Sequence, residues 1–294
     1  MRIGYFADGP WSHRALDKIL ADKKFSVDFI CARFDSPDPK LRKLAEASGI
    51  PFLVHENVNS KDFREILGAF ESDIFVSMSF NQIFKQDLIL LPQRGIINCH
   101  AGKLPSYRGR NVLNWALIND ENEFGVTVHY VDGGIDTGDI VLQETYDIDD
   151  SDTYGTLLER SFEYCAAILY KSLLQISAGT SKRILQETID SIGFYCSQRE
   201  DGDESLNWNQ SSREVFNFVR AISSPGPSAR TFIRGKEVKI NKIDLVPGAP
   251  SHKGIPGAIV GKDASGLLVK TSDSFVKVVD FTSDINLRVG DRFQ

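Results

Sequence analysis

The stretch that decides the fold is INCHAGKLPSYRGRNVLNWAL, residues 97–117. An apolar run ends here with Asn98 and His100, which are two positions apart. In a β-strand, side chains at positions i and i+2 point to the same face, so a strand would present this amide and this imidazole together. A loop rich in Pro, Gly and Arg follows. The stretch therefore predicts a strand end that carries polar groups for chemistry.

Outward from this strand, the first half of the chain alternates short apolar runs with amphipathic stretches. Strands are predicted at RIGYFAD, VDFICAR, PFLVH, DIFVSMSF, GIINCH, GVTVHYVDG and DIVLQETYDI. Helices are predicted at HRALDKILAD, PKLRKLAEASG and TYGTLLERSFEYCAAILYKSLLQIS. Alternation of this kind is typical of an α/β domain whose mostly parallel sheet is covered by helices.

Three segments differ in character along the chain. Residues 1–180 carry the α/β pattern, and residues 181–210 are polar with little periodicity, as expected of a linker. Residues 211–294 begin with the short helix SREVFNFVRAI and continue with short β-rich runs separated by Gly, Pro and Asp. Short, evenly spaced strands predict a small C-terminal β domain, an OB-like barrel.

Composition and charge narrow the class of protein. Hydrophobic residues make up 41% of the chain and charged residues 25%, and the formal net charge is −6. No run of Lys and Arg marks a nucleic-acid face, so we expect no nucleic-acid partner. No apolar run is long enough for a bilayer span, and the N-terminus lacks a signal-peptide pattern. We therefore expect a cytoplasmic protein with no membrane partner.

The cysteines and most histidines carry no recognisable site. The cysteines form no C-x-x-C pair, so we expect no metal site: they are Cys31, Cys99, Cys165 and Cys196. Cys99 lies between Asn98 and His100, so its side chain should point to the opposite face of the strand and into the core. Three further histidines have no partner pattern and receive no role: His55, His129 and His252.

Asn98 and His100 supply two of the groups that acyl transfer needs. A neutral imidazole takes or gives a proton near pH 7, and a carboxamide donates hydrogen bonds to a developing oxyanion. An orienting carboxylate is expected from DGGIDTGD, which offers Asp132, Asp136 and Asp139. We choose Asp136, because Asp132 and Asp139 sit at strand ends, where a capping role is easily satisfied. Each residue taken alone also fits a purely structural role.

Together these residues resemble the folate-dependent formyltransferases. The hallmarks of that family are N-x-H at a strand end, L-P-x-x-R-G with a downstream Trp, then G-V-T, and an aspartate in a G-x-D-x-G turn. The same elements stand here in the same order, at residues 98–100, 104–109, Trp115, 125–127 and 134–138. The resemblance covers nearly the whole chain, since FVRAISSPGPSARTFIRGKEVKI is similar to the start of the family's small C-terminal domain.

The resemblance implies a Rossmann-like catalytic domain that transfers a formyl group from N10-formyltetrahydrofolate to a primary amine, without a metal. Asn98 and His100 would stabilise the tetrahedral oxyanion, and Asp136 would hold His100 and help to move protons. The formyl donor would be bound by residues of SFNQIFKQDLI and of the Asp136 turn: Phe80, Gln82, Ile83, Phe84, Gly134, Ile135 and Asp136. For Phe80, Ile83 and Phe84, packing in the core is an equally good interpretation.

The loop after His100 decides between two acceptors. Methionyl-tRNA formyltransferases typically read H-P-S-L-L-P there and use a basic surface to hold RNA, whereas this chain reads HAGKLPSYRGRN and is acidic overall. That departure is more similar to the sugar N-formyltransferases, so we expect an amino sugar linked to dTDP, UDP or GDP. The candidate contacts are Trp11, Lys85, Tyr107, Arg108, Gly109, Arg110 and Asn111. Each also fits the role of an ordinary surface residue.

Other interpretations stay open. Methionyl-tRNA formyltransferase is the first alternative. A different folate enzyme is another, either a formyl-folate hydrolase or a glycinamide ribonucleotide formyltransferase, which usually lacks a C-terminal β unit. A non-catalytic binding module on this scaffold is disfavoured because Asn98, His100 and Asp136 are all present. Sugar N-formyltransferases commonly serve lipopolysaccharide biosynthesis and pair through the small C-terminal domain, so the resemblance also implies a homodimer.

Overall fold

The residues Ile96–His100 form a strand inside a seven-stranded sheet in the computed structural model, which describes residues 1–294. The strands are β1 (Arg2–Ala7), β2 (Ser26–Ala32), β3 (Phe52–Val54), β4 (Ile74–Met78), β5 (Ile96–His100), β6 (Arg108–Gly109), β7 (Glu123–Tyr130), β8 (Ile140–Asp147), β9 (Tyr195–Cys196), β10 (Ala229–Ile233), β11 (Lys236–Leu245), β12 (Ile259–Asp263), β13 (Gly266–Lys270) and β14 (Phe275–Ser283). The helices are α1 (Gly9–Leu20), α2 (Pro39–Ser48), α3 (Lys61–Gly68), α4 (Gln86–Ile89), α5 (Val112–Ile118), α6 (Tyr154–Ser177) and α7 (Ser212–Ile222). None of the helices, including the 24-residue α6, has an apolar stretch long enough to cross a bilayer.

The chain divides into two units. The first contains residues Met1–Gly109, Phe124–Tyr146 and Glu159–Cys196, and the second contains Arg110–Glu123, Asp147–Leu158 and Ser197–Gln294. The last change of unit, after Cys196, falls inside the segment predicted as a linker. Two short insertions of the second unit also interrupt the predicted catalytic domain of residues 1–180.

The sheet of the first unit confirms the mostly parallel α/β prediction. Its strand order is β3-β2-β1-β4-β5-β7-β8. Strands β1 to β5 are parallel to one another, whereas β7 runs antiparallel to β5. Strands β1 and β4 are buried along nearly their whole length, which explains why their sequences are almost continuously apolar. The helices α3, α4 and α5 were not among the elements predicted from the sequence.

Aromatic rings fill the core on one side of this sheet. Phe6 lies edge-to-face against several rings, among them the fully or nearly fully buried ones of Phe29 at 5.5 Å, Phe75 at 5.5 Å and Phe84 at 5.1 Å. Each of these side chains is buried. Burial of one such side chain stabilises a fold by about 1.5–3 kcal/mol. This packed core includes Phe75 of β4, the strand that pairs with β5.

The second unit is built on a five-stranded antiparallel sheet in the order β10-β11-β14-β13-β12. Helix α7 begins with a capping box, in which Ser211 and Glu214 each bond the other's backbone N–H. Asn114 of α5 donates to the carbonyl of Ala221 at 2.6 Å, which ties α5 to α7. The small β domain is confirmed, whereas the OB-like barrel stays a prediction, since β10 and β12 are the edges of the paired sheet.

Candidate functional site

Two neighbouring strands place a histidine beside the predicted N-x-H pair. In the antiparallel ladder of β5 and β7, Asn98 lies opposite His129 and His100 lies opposite Thr127. Directly opposed residues in a ladder point to the same face, as do residues two apart on one strand. Asn98, His100 and His129 therefore share one face of the sheet, and the Asn98 amide lies 3.2 Å from Nε2 of His129. Cys99 is buried on the other face.

The loop between β7 and β8 brings Asp136 onto this face. Its carboxylate lies 3.4 Å from Nε2 of His129 and 3.7 Å from Nδ1 of His100. The backbone N–H of Gly109 donates to the same carboxylate at 2.9 Å. The side chain of Asp136 is only 12% exposed. One carboxylate thus joins two imidazoles to the loop that follows β5.

The surroundings of Asp136 favour its charged form. Burial alone would raise the pKa of this carboxyl group, but electrostatic attraction to His100 and a hydrogen bond with His129 outweigh burial, so the pKa lies well below its usual range. The residue adopts a left-handed backbone conformation, with φ at 54°. A non-glycine residue rarely takes this conformation, and such residues cluster at functional sites. The loop therefore holds a charged carboxylate in a fixed position.

His129 orients the amide of Asn98. Nδ1 of His129 donates to the carbonyl of Tyr130 at 2.8 Å, because a carbonyl oxygen can only accept. In the neutral imidazole this leaves Nε2 as an acceptor for an N–H of Asn98, whereas in the protonated imidazole Nε2 donates to the carboxylate of Asp136. The second N–H of that amide stays available for a bound molecule. No sequence pattern marks His129, and its place beside Asn98 follows only from the β5–β7 pairing.

His100 makes a hydrogen bond with the loop that follows it. Its Nε2 donates to the carbonyl of Tyr107 at 2.7 Å. Tyr107 also has a positive φ, of 55°. A Cβ on Gly102 would lie 2.4 Å from Nε2 of His100 and 2.5 Å from the Tyr107 carbonyl oxygen, so only glycine fits between them. The Gly-rich start of this loop therefore allows the chain to turn back over the imidazole.

The residues predicted to bind the formyl donor fall into two groups. Ile83 and Ile135 are 68% and 52% exposed, so their apolar surfaces are open to a ligand. Phe84 is buried and stacks with Phe80 at a ring distance of 5.8 Å, so the two rings pack in and against the hydrophobic core. The side chain of Gln82 bonds the backbone of Val58 and His55. Gly134 donates its N–H to Asp132 at 3.0 Å.

The predicted acceptor contacts are more dispersed. In the first unit, Trp11 packs edge-to-face on Phe162 at 4.8 Å, and Lys85 is exposed before α4. Arg108 donates through Nε and Nη2 to Gln186 at 3.1 and 2.7 Å, so these groups already have a partner. Two residues belong to the second unit, where Arg110 is exposed and Asn111 accepts a hydrogen bond from the backbone of Arg199. Nowhere do three or more His, Cys, Asp or Glu side chains gather in a geometry that would hold a metal ion.

Comparison with known proteins gives two kinds of match. Residues 1–173 match the family model described as formyl transferase, and residues 199–284 match the formyl transferase C-terminal domain. The chain is 31% identical over 250 residues to the methionyl-tRNA formyltransferase of Pelotomaculum thermopropionicum, covering 84% of this chain and 77% of that protein. It is 31% identical over 277 residues to the methionyl-tRNA formyltransferase of Geotalea daltonii, covering 92% and 86%.

Solved structures with the same fold include two sugar enzymes. WlaRD, a sugar 3N-formyl transferase solved in the presence of dTDP and 5-N-formyl-THF, matches with a TM-score of 0.70 and 24% identity over 98% of this chain and 99% of that one. The N-formyltransferase from Helicobacter canadensis, in complex with folinic acid and dTDP-3-aminofucose, matches with a TM-score of 0.70 and 23% identity over 96% and 99%. These two likenesses concern the fold, whereas the family model spans more than half of the chain. The chain belongs to the formyl transferase family and is a formyltransferase.

Proposed function

We propose that this enzyme transfers the formyl group of N10-formyltetrahydrofolate to the amine of a nucleotide-linked amino sugar. The observation that carries the chemical part is the cluster of Asn98, His100 and His129 around the carboxylate of Asp136. It combines an amide, imidazoles and a charged carboxylate on one face of a rigid sheet. These are the groups that a transfer through a tetrahedral oxyanion requires.

The attacking amine belongs to the acceptor. Its lone pair adds to the formyl carbon, and the formyl oxygen gains negative charge. In the proposal, the free N–H of Asn98 and an N–H of His100 donate to that oxygen. Nε2 of His100 donates to Tyr107 in the structure, so binding of the formyl oxygen there replaces this hydrogen bond. Collapse of the intermediate then breaks the bond to N10 of the folate, which leaves with a proton.

Asp136 supports the proton transfers. The attacking nitrogen must lose a proton and the leaving N10 must gain one. A charged carboxylate between two imidazoles can accept a proton through water and return it, while it keeps His100 oriented. The low pKa of Asp136 means that the carboxylate is charged at neutral pH and acts chiefly as an orienting group.

The formyl donor fits the loops after β4 and before β8. A pterin ring offers two apolar faces and a polar edge, and the exposed side chains of Ile83 and Ile135 offer apolar surface. The turn itself requires glycine at position 134, since a Cβ there would lie 2.2 Å from Oγ1 of Thr137. Solved relatives of the same fold were crystallised with 5-N-formyl-THF or with folinic acid, which supports a folate as the formyl donor.

The choice of an amino sugar as acceptor rests on the loop and on charge. HAGKLPSYRGRN departs from the H-P-S-L-L-P pattern, and the net charge of −6 is poorly suited to a large polyanion. The two solved relatives named above carry dTDP or a dTDP-amino sugar, which supports an acceptor of that class. By resemblance, the proposal places the enzyme in the cytoplasm as a homodimer with an OB-like C-terminal barrel, in lipopolysaccharide biosynthesis.

Methionyl-tRNA is the second candidate acceptor. The observation in its favour is sequence similarity, because the curated relatives named above are methionyl-tRNA formyltransferases at 31% identity. The reacting groups would be the same with either amine. The two candidates therefore differ only in the surface that holds the rest of the acceptor.

A panel of acceptors tests the proposal directly. The purified enzyme is incubated with N10-formyltetrahydrofolate and with dTDP-, UDP- or GDP-linked amino sugars that carry the amine at different ring positions, or with methionyl-tRNA. We expect release of tetrahydrofolate and a formylated product with a subset of the sugar nucleotides only. The His100→Ala protein serves as the blank for each acceptor. Formylation of the tRNA alone would overturn the proposed acceptor, and no turnover with any acceptor would overturn the proposed function.

A further inference from the structure

A buried glutamine joins the Asp136 turn to the loop that follows β5. Nε2 of Gln186 donates to the carbonyl oxygens of Asp136 and Gly138 at 2.7 and 2.8 Å. Its Oε1 accepts one N–H from Nε and one from Nη2 of Arg108. The amide has thus used all of its hydrogen-bonding capacity, and the residue is 4% exposed. Such a saturated, buried amide fixes the relative position of the two backbone segments that it bridges.

The chain around Gln186 is anchored on both sides. Two residues earlier, Ile184 and Ile140 exchange backbone hydrogen bonds of 2.8 and 2.9 Å at the start of β8. Further on, β9 pairs in parallel with β6, so that Tyr195 is opposite Arg108. The ring of Phe194 lies 4.8 Å from that of Tyr107. Residues 184–196 therefore lie along the loop whose Tyr107 carbonyl accepts from His100.

Neither family match includes this segment. The two matched regions end at residue 173 and begin again at residue 199. Within the predicted linker, residues 181–210, the buried residues are Gln186, Cys196, Glu204, Leu206 and Trp208. Of these, Gln186 alone bonds the Asp136 turn. Its polarity is not explained by packing, since a buried Leu or Met would fill a similar space. The hydrogen bonds themselves are what requires an amide at this position.

We propose that Gln186 is a positioning residue for formyl transfer, which holds Asp136 against His100 and His129 by clamping its turn to Arg108. The inference rests on the proposed function for its role in the reaction. The left-handed φ of Asp136, 54°, is unfavourable in a free chain and needs support from its surroundings. Gln186 supplies that support from the backbone side, and the N–H of Gly109 supplies it from the carboxylate side.

Two substitutions separate this role from simple anchoring. Gln186→Met keeps the volume and removes all four hydrogen bonds. Gln186→Glu keeps the acceptor for Arg108 but loses the N–H groups that bond Asp136 and Gly138. If the clamp on the turn matters, both variants lower kcat by about 10- to 100-fold, as a displacement of about 1 Å does. The exposed neighbour provides the control, and Glu187→Gln should match the wild type.

Two further readouts exclude a merely structural role. The activity of Gln186→Glu relative to wild type should rise as the pH falls through the titration range of the introduced carboxyl group, because the protonated group regains one donor. The imidazole titrations of His100 and His129, followed by side-chain NMR in Gln186→Met, should shift from those of the wild type. The NMR titration needs no substrate, so it decides the role of Gln186 even if no acceptor is formylated.

Other outcomes would contradict the role of Gln186 or the proposed function. Wild-type kcat in Gln186→Glu would overturn the inference, because the hydrogen bonds to the Asp136 turn would then have no effect on turnover. A loss of activity that only follows the loss of folded protein, with unmoved imidazole titrations in the folded fraction, would assign Gln186 to stability alone. Failure of every acceptor with the wild-type enzyme would instead overturn the proposed function and leave the NMR test standing.

Discussion

At the scale of single residues, the site depends on how hydrogen-bond donors and acceptors are distributed around one carboxylate. Asp136 cannot donate when charged, so each of its hydrogen bonds must come from a donor group of another residue or of water. Gly109 provides one such group, and His100 and His129 lie within 4 Å. His129 also fixes the amide of Asn98, so it acts on two members of the cluster at once.

Replacement of His129 should therefore impair turnover, although His129 is not one of the three predicted catalytic residues. In His129→Phe the Asn98 amide loses its acceptor and Asp136 loses a partner, and we expect kcat to fall about 10- to 100-fold. His129→Gln should retain more activity, because its amide can still accept from Asn98. Steady-state kinetics measure both. The matched control is His252→Phe. His252 is an exposed histidine of the second unit, and its ring already lies edge-on to that of Phe275. Equal activity of His129→Phe and the wild type would contradict this role.

The lowered pKa of Asp136 has a consequence for stability. Because the pKa is lower in the folded than in the unfolded chain, the carboxylate stabilises the fold above the ordinary aspartate pKa of about 3.9. This contribution is lost as the pH falls through the lowered value. We expect Asp136→Asn to be less stable than the wild type at pH 7 by about 2 kcal/mol, with a difference that shrinks below about pH 4. Urea unfolding at a series of pH values measures it, and a difference independent of pH would contradict it.

At the scale of elements, the sequence predicted the strands and long helices of the first unit but not how two of them meet. The alternation of apolar runs identified β5 and β7 separately, yet their antiparallel pairing is a long-range property that no local pattern encodes. His129 was missed for this reason. Asp136 could be proposed from the sequence, because Gly-rich turns between strands are recognisable and the family resemblance marked it, and its carboxylate lies 3.7 Å from His100.

The segment 184–196 shows a second limit of sequence patterns. Its low periodicity predicts a linker without long helices or strands. In the structure it contributes β9 and a 3-10 turn at Gln186–Thr188 to the first unit. Short segments that bond through single side chains leave no periodic signal, because their stability comes from partners distant in the sequence. Gln186, with partners 50 and 78 positions away, is such a case.

At the scale of the whole molecule, the distribution of charge is the property that separates the two candidate acceptors. The chain has 34 Lys and Arg against 40 Asp and Glu. Much of the positive charge is already paired within each unit, as for Arg213 with Asp120 and Asp150, or Arg230 with Glu204. A long polyanion would have to compete with these internal carboxylates. A nucleoside diphosphate needs far fewer positive groups.

The salt dependence of acceptor binding should reflect this balance. Each nucleic-acid phosphate that a protein neutralises adds about −0.7 to −0.9 to the slope of log affinity against log salt concentration. A protein with 6–10 such contacts therefore loses about 10³- to 10⁵-fold in affinity between 50 and 200 mM salt. With about two phosphate charges in the acceptor, we expect KM for the sugar nucleotide to rise by about tenfold or less over that range. Initial rates at fixed, saturating formyl donor measure the dependence. The KM of the formyl donor, measured in the same buffers, corrects for general salt effects on the enzyme. A steep rise in the acceptor's KM, of the size expected for many phosphates, would show that this acidic chain nevertheless presents a polyanion-binding surface, and would favour the tRNA as acceptor.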